Sequence, residues 1–204
     1  MPATRRASVS TAHFDKAYRA RTDPWGTLHK AYEREKFADT ASLLPAGRFG
    51  SALEIGCGVG ALTRLLAPHC DALLATDCSA AAIEQARGNC ADLDGVSFAT
   101  LRVPEDLAEG EADLDLVVMS EVGYYLSDAD LHLAARRIHA RLRPGGHLLL
   151  AHWVHEGSEG VVTGRGVHEA FRAVPGTVPV AGRDASRYGE TYRLDLLRRD
   201  TLQG

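Results

Sequence analysis

Ala52-Leu53-Glu54-Ile55-Gly56-Cys57-Gly58-Val59-Gly60-Ala61-Leu62 decides the fold. A short apolar run stops at a carboxylate, three glycines follow at alternate positions, and an apolar helical pattern begins. The pattern predicts a buried strand, a tight turn with a bare backbone, and a helix N-terminus offering its N–H groups to a polar ligand.

Outward from that stretch the pattern alternates. Strand 51–55 leads to a helix over 60–67. Strand 72–76 leads to Asp77 and then, with Ser79 as N-cap, to an alanine-rich helix ending near Cys90. Strand 95–100, a turn at Pro104-Glu105-Asp106-Leu107 and strand 114–119 follow, the last ending at Ser120-Glu121. Ser127 opens a helix over 128–142, with Asp128 and Asp130 in its first turn and Arg141 and Arg143 at its end. Pro144-Gly145-Gly146 turns the chain into strand 147–153. Alternating strands and helices predict a doubly wound parallel sheet. After Trp153 come a glycine-rich loop (157–166), a short helix near 166–173 and strands 178–183 and 190–198 with no helix between them. That order predicts an antiparallel pair closing the sheet edge.

Upstream, helices over 10–20 and 27–43 flank a break at Thr22-Asp23-Pro24-Trp25-Gly26. The expected organisation is one domain over 1–204: a flexible tail (1–9), a helical cap (10–45) and a Rossmann-like core (50–200). The sheet is expected to have seven strands, mostly parallel, with an antiparallel strand near the C-terminus.

Composition narrows the function. Of 204 residues, 45% are hydrophobic and 25% charged, which excludes disordered and collagen-like classes. A net charge of −4 gives no electrostatic case for nucleic acid or an anionic membrane. No apolar run approaches a bilayer span, and Arg5-Arg6 precede no apolar segment of a signal peptide, so the expected compartment is the cytoplasm. Cys57, Cys70, Cys78 and Cys90 match no zinc spacing and read as free thiols. Cys57 and Cys78 fall in the two strand-to-helix turns and are expected to line the site.

Three readings compete for the glycine stretch. A purely structural turn leaves unexplained three glycines that each cost about 0.5–1 kcal/mol against alanine. A dinucleotide site fits Gly56-x-Gly58-x-x-Ala61 with Asp77 placed for a ribose. S-adenosylmethionine fits the same turn. Glu54 separates the last two: a carboxylate just before the turn repels a pyrophosphate and favours an amino acid's ammonium group.

Glu54-x-Gly56-x-Gly58-x-Gly60, Asp77, Leu114–Glu121 and Leu142-Arg143-Pro144-Gly145-Gly146 together resemble class I S-adenosylmethionine-dependent methyltransferases over about residues 50–153. Asp23-Pro24-Trp25-Gly26, Tyr32-Glu33-Arg34-Glu35-Lys36, Ser120-Glu121-Val122-x-Tyr124-Tyr125-Leu126, Ala151-His152-Trp153 and Tyr192–Leu197 resemble the nodulation protein S family more narrowly. Its named members N-methylate the deacetylated terminal glucosamine of a chitin oligosaccharide. The resemblance implies that Glu54, Gly56, Gly58 and Gly60 cradle the methionine and ribose of S-adenosylmethionine, and that Asp77 takes the ribose hydroxyls. Where many class I enzymes carry an acid for the adenine amino group, this sequence has Arg102, so backbone groups of 101–103, including Val103, are assigned to the adenine.

Ligands of a doubly wound sheet lie outside the carboxyl ends of its strands. Ser120, Glu121, Tyr124, Tyr125, His152 and Trp153 stand there. An amine must shed a proton before it attacks, and Glu121 and His152 are the candidate acceptors, with Tyr124 beside them. Glu121 pairing with an arginine, and His152 as a hydrogen-bonded strand residue, are the structural alternatives. Tyr124, Tyr125, His152 and Trp153 are candidate acceptor contacts, with core the favoured reading of Tyr125. Trp25, Tyr32 and Arg34 are expected to face the cofactor from the cap, Arg34 taking its carboxylate. His152 and His155 point to opposite strand faces, so no metal is expected. The expected function is N-methylation of a small-molecule amine, an aminosugar or a natural-product intermediate, by direct in-line transfer that leaves S-adenosylhomocysteine. O-methylation on the same scaffold and an NAD-binding module are the alternatives. Oligomeric state is not encoded in any motif.

Overall fold

The computed structural model describes residues 7–107, 113–154 and 161–201. Its strands are β1 (Phe49–Ile55), β2 (Cys70–Asp77), β3 (Val96–Thr100), β4 (Leu114–Ser120), β5 (Leu142–Trp153), β6 (Thr177–Arg187) and β7 (Glu190–Arg199). Its helices are α1 (Thr11–Ala20), α2 (Ala31–Ala41), α3 (Thr63–Leu66), α4 (Ala80–Asn89), α5 (Asp128–Arg141) and α6 (Gly164–Arg172). One seven-stranded sheet has the order β3-β2-β1-β4-β5-β7-β6, with β7 antiparallel to both of its neighbours. The expected doubly wound, mostly parallel sheet is borne out.

Every residue of β4 is buried, because helices cover both faces of the sheet. Leu131, Ile138, Leu150 and Phe171 belong to the core on one face; Phe37, Leu62, Leu66 and Leu149 belong to the core on the other. The chain order reverses between β1 and β4, so the crevice at their carboxyl ends is the switch point of the fold. The glycine turn and Glu121 meet there.

The helix starts follow their caps. Ser79 accepts from the Ala82 N–H at 3.3 Å and Ser127 from the Asp130 N–H at 3.1 Å. Helix α1 lies on α4, where Ser79 donates to Asp15 at 2.5 Å and Gln85 donates to the Tyr18 carbonyl at 3.1 Å. The β6–β7 hairpin holds α2 from the other side: Tyr188 donates to Glu35 at 2.7 Å, and Arg187 reaches Asp39 at 3.0 Å.

Several boundaries differ from expectation. The helix expected from residue 27 begins at Ala31, because the Asp23 carboxylate takes the N–H groups of Thr27 (2.8 Å) and Leu28 (2.9 Å) and makes a separate turn. The helix expected over 60–67 shrinks to α3 and a 3-10 turn at Ala67–His69, as the glycine turn persists to Gly60. Strand β5 begins at Leu142 and passes through Pro144-Gly145-Gly146 with a shift of register against β4. At the end of the stretch expected as a flexible tail, Ser8 accepts from the Ser127 N–H at 2.7 Å and the Val9 N–H donates to the Tyr125 carbonyl at 2.9 Å. Among the described residues no helix is long and apolar enough to cross a membrane.

Candidate active site

A cavity of about 540 Å³ opens at the switch point, within the range of small-molecule sites. Its floor is the glycine turn and the ends of β2 and β4; its roof is the N-terminal segment, through residues such as Thr11, Phe14, Tyr18, Trp25 and Lys36.

Gly56, Gly58 and Gly60 all have positive φ. A Cβ at Gly56 would meet Val122 Cγ2 at 2.1 Å, so the turns after β1 and β4 touch only because no side chain stands between them. A Cβ at Gly58 would meet the Tyr18 hydroxyl at 2.9 Å. Asp77 accepts from the Gly58 N–H (3.1 Å) and the Ser79 N–H (2.9 Å), tying the end of β2 to the turn. Burial holds its carboxyl above the usual range despite those bonds. Among the described residues Ser120 Oγ has no hydrogen-bond partner; it is buried at the cavity edge, a polar atom that a ligand would satisfy.

Glu121 stands opposite. Its N–H continues the sheet to the Ala151 carbonyl at 2.9 Å, and then the chain turns through φ +59°, a region L-residues rarely occupy. Its Oε1 accepts from the Trp153 N–H at 3.0 Å and its Oε2 from the Tyr124 hydroxyl at 2.6 Å. Lys36 Nζ lies 3.4 Å from Oε1 and 2.8 Å from Glu33, above the Tyr32 ring. Burial alone would depress the Lys36 ammonium, but the Glu121 and Glu33 carboxylates outweigh it and raise its pKa. Burial, reinforced by Glu121, pushes the Tyr124 phenol well above its ordinary value. The three donors leave room in the acceptor capacity of the carboxylate, whose side chain is 25% exposed. Among the described lining residues, four carboxylates (Glu33, Asp77, Glu105, Glu121) outnumber two cations (Lys36, Arg102), a balance that favours a cationic guest.

Of the sequence candidates, the structure brings Trp25, Gly56, Cys57, Gly58, Asp77, Cys78, Arg102, Val103, Ser120, Glu121, Tyr124 and Tyr125 to this cavity. Arg102 is half exposed and pairs with Asp106. Gly60 sits behind the turn, against Cys90. Five placements need correction. Glu54 lies beneath the turn rather than at the cavity: it is 1% exposed, and its carboxylate accepts from the Thr63 hydroxyl at 2.6 Å. Tyr32 packs on Tyr192 under Lys36. Arg34 points outward and donates to the His29 carbonyl, because Lys36, two positions on, takes the inward face of α2. His152 is fully buried behind Tyr124, where burial and the neighbouring His168 push its pKa well below the ordinary value. Trp153 offers Glu121 its backbone N–H while its indole N–H donates to Glu190. Sequence reasoning missed Lys36, Glu33 and Tyr18, although Glu33 and Lys36 stand in the Tyr32–Lys36 stretch that carries part of the family resemblance. His155 lies outside the described residues. Among those described, no group of His, Cys, Asp and Glu is arranged to hold a metal, and all four cysteines are free.

The strand order with β7 reversed, the glycine turn at the switch point and the acid ending β2 define the class I S-adenosylmethionine-dependent methyltransferase fold. Within that class the chain belongs to the nodulation protein S (NodS) family, whose model matches residues 12–156. It is 36% identical over 132 residues to nodulation protein S of Rhizobium tropici, covering 64% of this chain and 55% of that protein. The chain spans 55–65% of the length of the three rhizobial nodulation S proteins it matches at 32–36% identity. The N-methyltransferase NodS of Bradyrhizobium japonicum WM9, solved with S-adenosyl-L-homocysteine, superposes with a TM-score of 0.80 at 28% identity, covering 94% of this chain and 99% of that one. A putative methyltransferase of Pseudomonas syringae superposes at 0.69 with 32% identity, covering 83% of this chain and all of the other.

Proposed function

We propose that the chain is an S-adenosylmethionine-dependent N-methyltransferase of a small amine-bearing molecule, with an aminosugar as the favoured acceptor class. The observation that carries the reading is Glu121, a carboxylate with spare acceptor capacity at the end of β4 that lines the same cavity as the glycine turn. The similarity to an N-methyltransferase solved with S-adenosylhomocysteine supports the cofactor. The residues fit it: a bare turn for the amino-acid portion, Asp77 for ribose hydroxyls, the backbone at Val103 for the adenine (the Leu101 and Arg102 N–H groups being taken by the Asp77 carbonyl and the Asp106 carboxylate), and Ser120 Oγ in need of a partner.

Bound there, S-adenosylmethionine supplies an electrophilic methyl group on a sulfonium. The chain's own residues supply alignment, exclusion of water and a proton acceptor. Phe14, Tyr18, Trp25 and Tyr125 line the cavity with aromatic rings, a lining that suits a cation. Glu121 takes the proton that the acceptor ammonium must lose. The Tyr124 hydroxyl and the Trp153 N–H fix the direction of the carboxylate.

The test is transfer of labelled methyl from S-adenosylmethionine to a glucosamine-terminated chitosan tetramer, with the product analysed for N–CH3 and O–CH3. An N-methyl product supports the reading. An O-methyl product overturns the assignment of the acceptor atom, and absence of transfer overturns the acceptor class.

A further inference from the structure

Behind the cavity wall runs a buried polar chain that the reaction described above does not use. The Gly123 N–H donates to His152 Nε2 at 3.1 Å. His152 Nδ1 lies 3.2 Å from His168 Nε2, and His168 Nδ1 lies 2.8 Å from Asp195 Oδ2. Asp195 is clamped by Arg172 (2.8 and 3.0 Å) and Arg193 (3.0 and 3.1 Å). His152, His168 and Asp195 are at most 1% exposed.

The donors and acceptors fix every proton. A backbone amide only donates, so His152 Nε2 accepts. A neutral imidazole that accepts at one nitrogen donates at the other, so His152 Nδ1–H points to His168 Nε2 and His168 Nδ1–H points to Asp195. The far end is an anion held by two guanidiniums, which settles the direction of the whole chain. The near end grips the turn that carries Glu121. The fit is close, since a Cβ at Gly123 would meet Val167 of α6 at 2.4 Å and His152 Nε2 at 3.2 Å.

We propose that His152 is a positioning residue: through the Gly123 amide it holds Glu121 and Tyr124 against the cavity, and His168 and Asp195 lock the tautomer that this requires. The grip matters because Glu121 has a left-handed backbone, which relaxes unless the following residues are anchored. The groups facing His152 are His168 from α6, Asp195 from β7, Lys36 from α2 and the Tyr124 ring at 5.7 Å. A proton added to His152 would set a donor against the Gly123 donor; burial, His168 and Lys36 all disfavour that charge.

The assignment rests on the proposed role of Glu121, and its test separates the two. Ring 15N spectra of histidine-labelled protein are expected to show His152 protonated at Nδ1 and bare at Nε2 from about pH 6 to 8. His152→Leu is expected to lower single-turnover methyl transfer to the chitosan tetramer about 10²-fold, the cost of a misplaced group, with S-adenosylhomocysteine affinity held within about threefold. His152→Gln, whose side-chain oxygen can accept from Gly123, is expected to recover turnover to within about tenfold of the parent. In a Glu121→Gln background, His152→Leu is expected to cost nothing further, because it acts through Glu121. The opposite tautomer, losses that multiply in the double variant, or cofactor affinity falling in step with turnover overturns this assignment alone. Absence of methyl transfer by the unaltered enzyme overturns the acceptor class proposed above, and the tautomer shown by the 15N spectra then decides this assignment.

Discussion

Lys36 Nζ lies 3.4 Å from Glu121 and 2.8 Å from Glu33, with only 2% of the lysine side chain exposed. One buried cation thus holds together α2 of the N-terminal segment and the turn after β4. Removing one partner of a buried ion pair strands the others in a medium that solvates them poorly, at a cost of about 3–5 kcal/mol. Lys36→Met is expected to lose about 3 kcal/mol in urea unfolding, the low end of that range because Glu121 is partly wet. A variant as stable as the parent would contradict the structural role given to Lys36.

Glu121→Gln keeps the size of the side chain and its bond to the Trp153 N–H while removing the proton acceptor. Turnover with saturating cofactor is expected to fall by about 10²–10⁴-fold, the usual contribution of a positioned base. S-adenosylhomocysteine affinity, measured by calorimetry, is expected to stay within about threefold. Equal losses in affinity and turnover would make Glu121 a binding group instead.

Gly58 has φ +54°, and its missing Cβ leaves 2.9 Å to the Tyr18 hydroxyl. Gly58→Ala places an L-residue in the left-handed region, at a cost of about 1–2 kcal/mol, and forces Tyr18, which lines the cavity, to shift. Both stability and S-adenosylhomocysteine affinity are expected to fall, the latter about tenfold for each 1.4 kcal/mol that the displaced Tyr18 costs the bound state. Adding Tyr18→Phe removes the hydroxyl contact and is expected to restore affinity but not stability. If the second substitution restores neither, the contact with Tyr18 is not what limits the site.

Burial raises the Glu54 carboxyl from 4.5 to about 7, against the bond from Thr63 and with help from Asp77. The folded state therefore binds a proton more tightly than the unfolded chain. The stabilisation is fully present below about pH 4.5 and is lost as pH rises through about 7, amounting to about 3 kcal/mol. Glu54→Gln removes this dependence. Relative to the parent, the variant is expected to gain about 3 kcal/mol between pH 5 and pH 8 in urea unfolding. A difference between the two proteins that does not change with pH would show that Glu54 is not titrating in that window.

The sheet was legible because its strands are short apolar runs punctuated by Gly, Pro and Ser caps, and each of those signals is local. Strand β4, Ser79 and Ser127 fell where their residue types put them. The failures have non-local causes. Arg34 and Lys36 sit two residues apart on α2, and which of them faces inward depends on where α2 lies over the cavity, a matter of packing against the β6–β7 hairpin. Glu54 reads as a cofactor ligand from its place before the turn, yet the direction its side chain takes is set by Thr63 and the path of α3. His152 reads as a base at a strand end; its partners, His168 and Asp195, come from α6 and β7, after the segment that carries the family motifs. Glu121 and Asp77 were legible as site residues because the carboxyl ends of neighbouring parallel strands converge on one crevice whatever else surrounds them.

The central claim is that the cavity between the glycine turn and Glu121 binds S-adenosylmethionine. Calorimetric titration of the unaltered protein with S-adenosylhomocysteine, and separately with NAD, tests it most directly. Saturable one-to-one binding of S-adenosylhomocysteine, weakened in Gly58→Ala, is expected, with no heat of binding for NAD. Saturable binding of NAD with none of S-adenosylhomocysteine would contradict it.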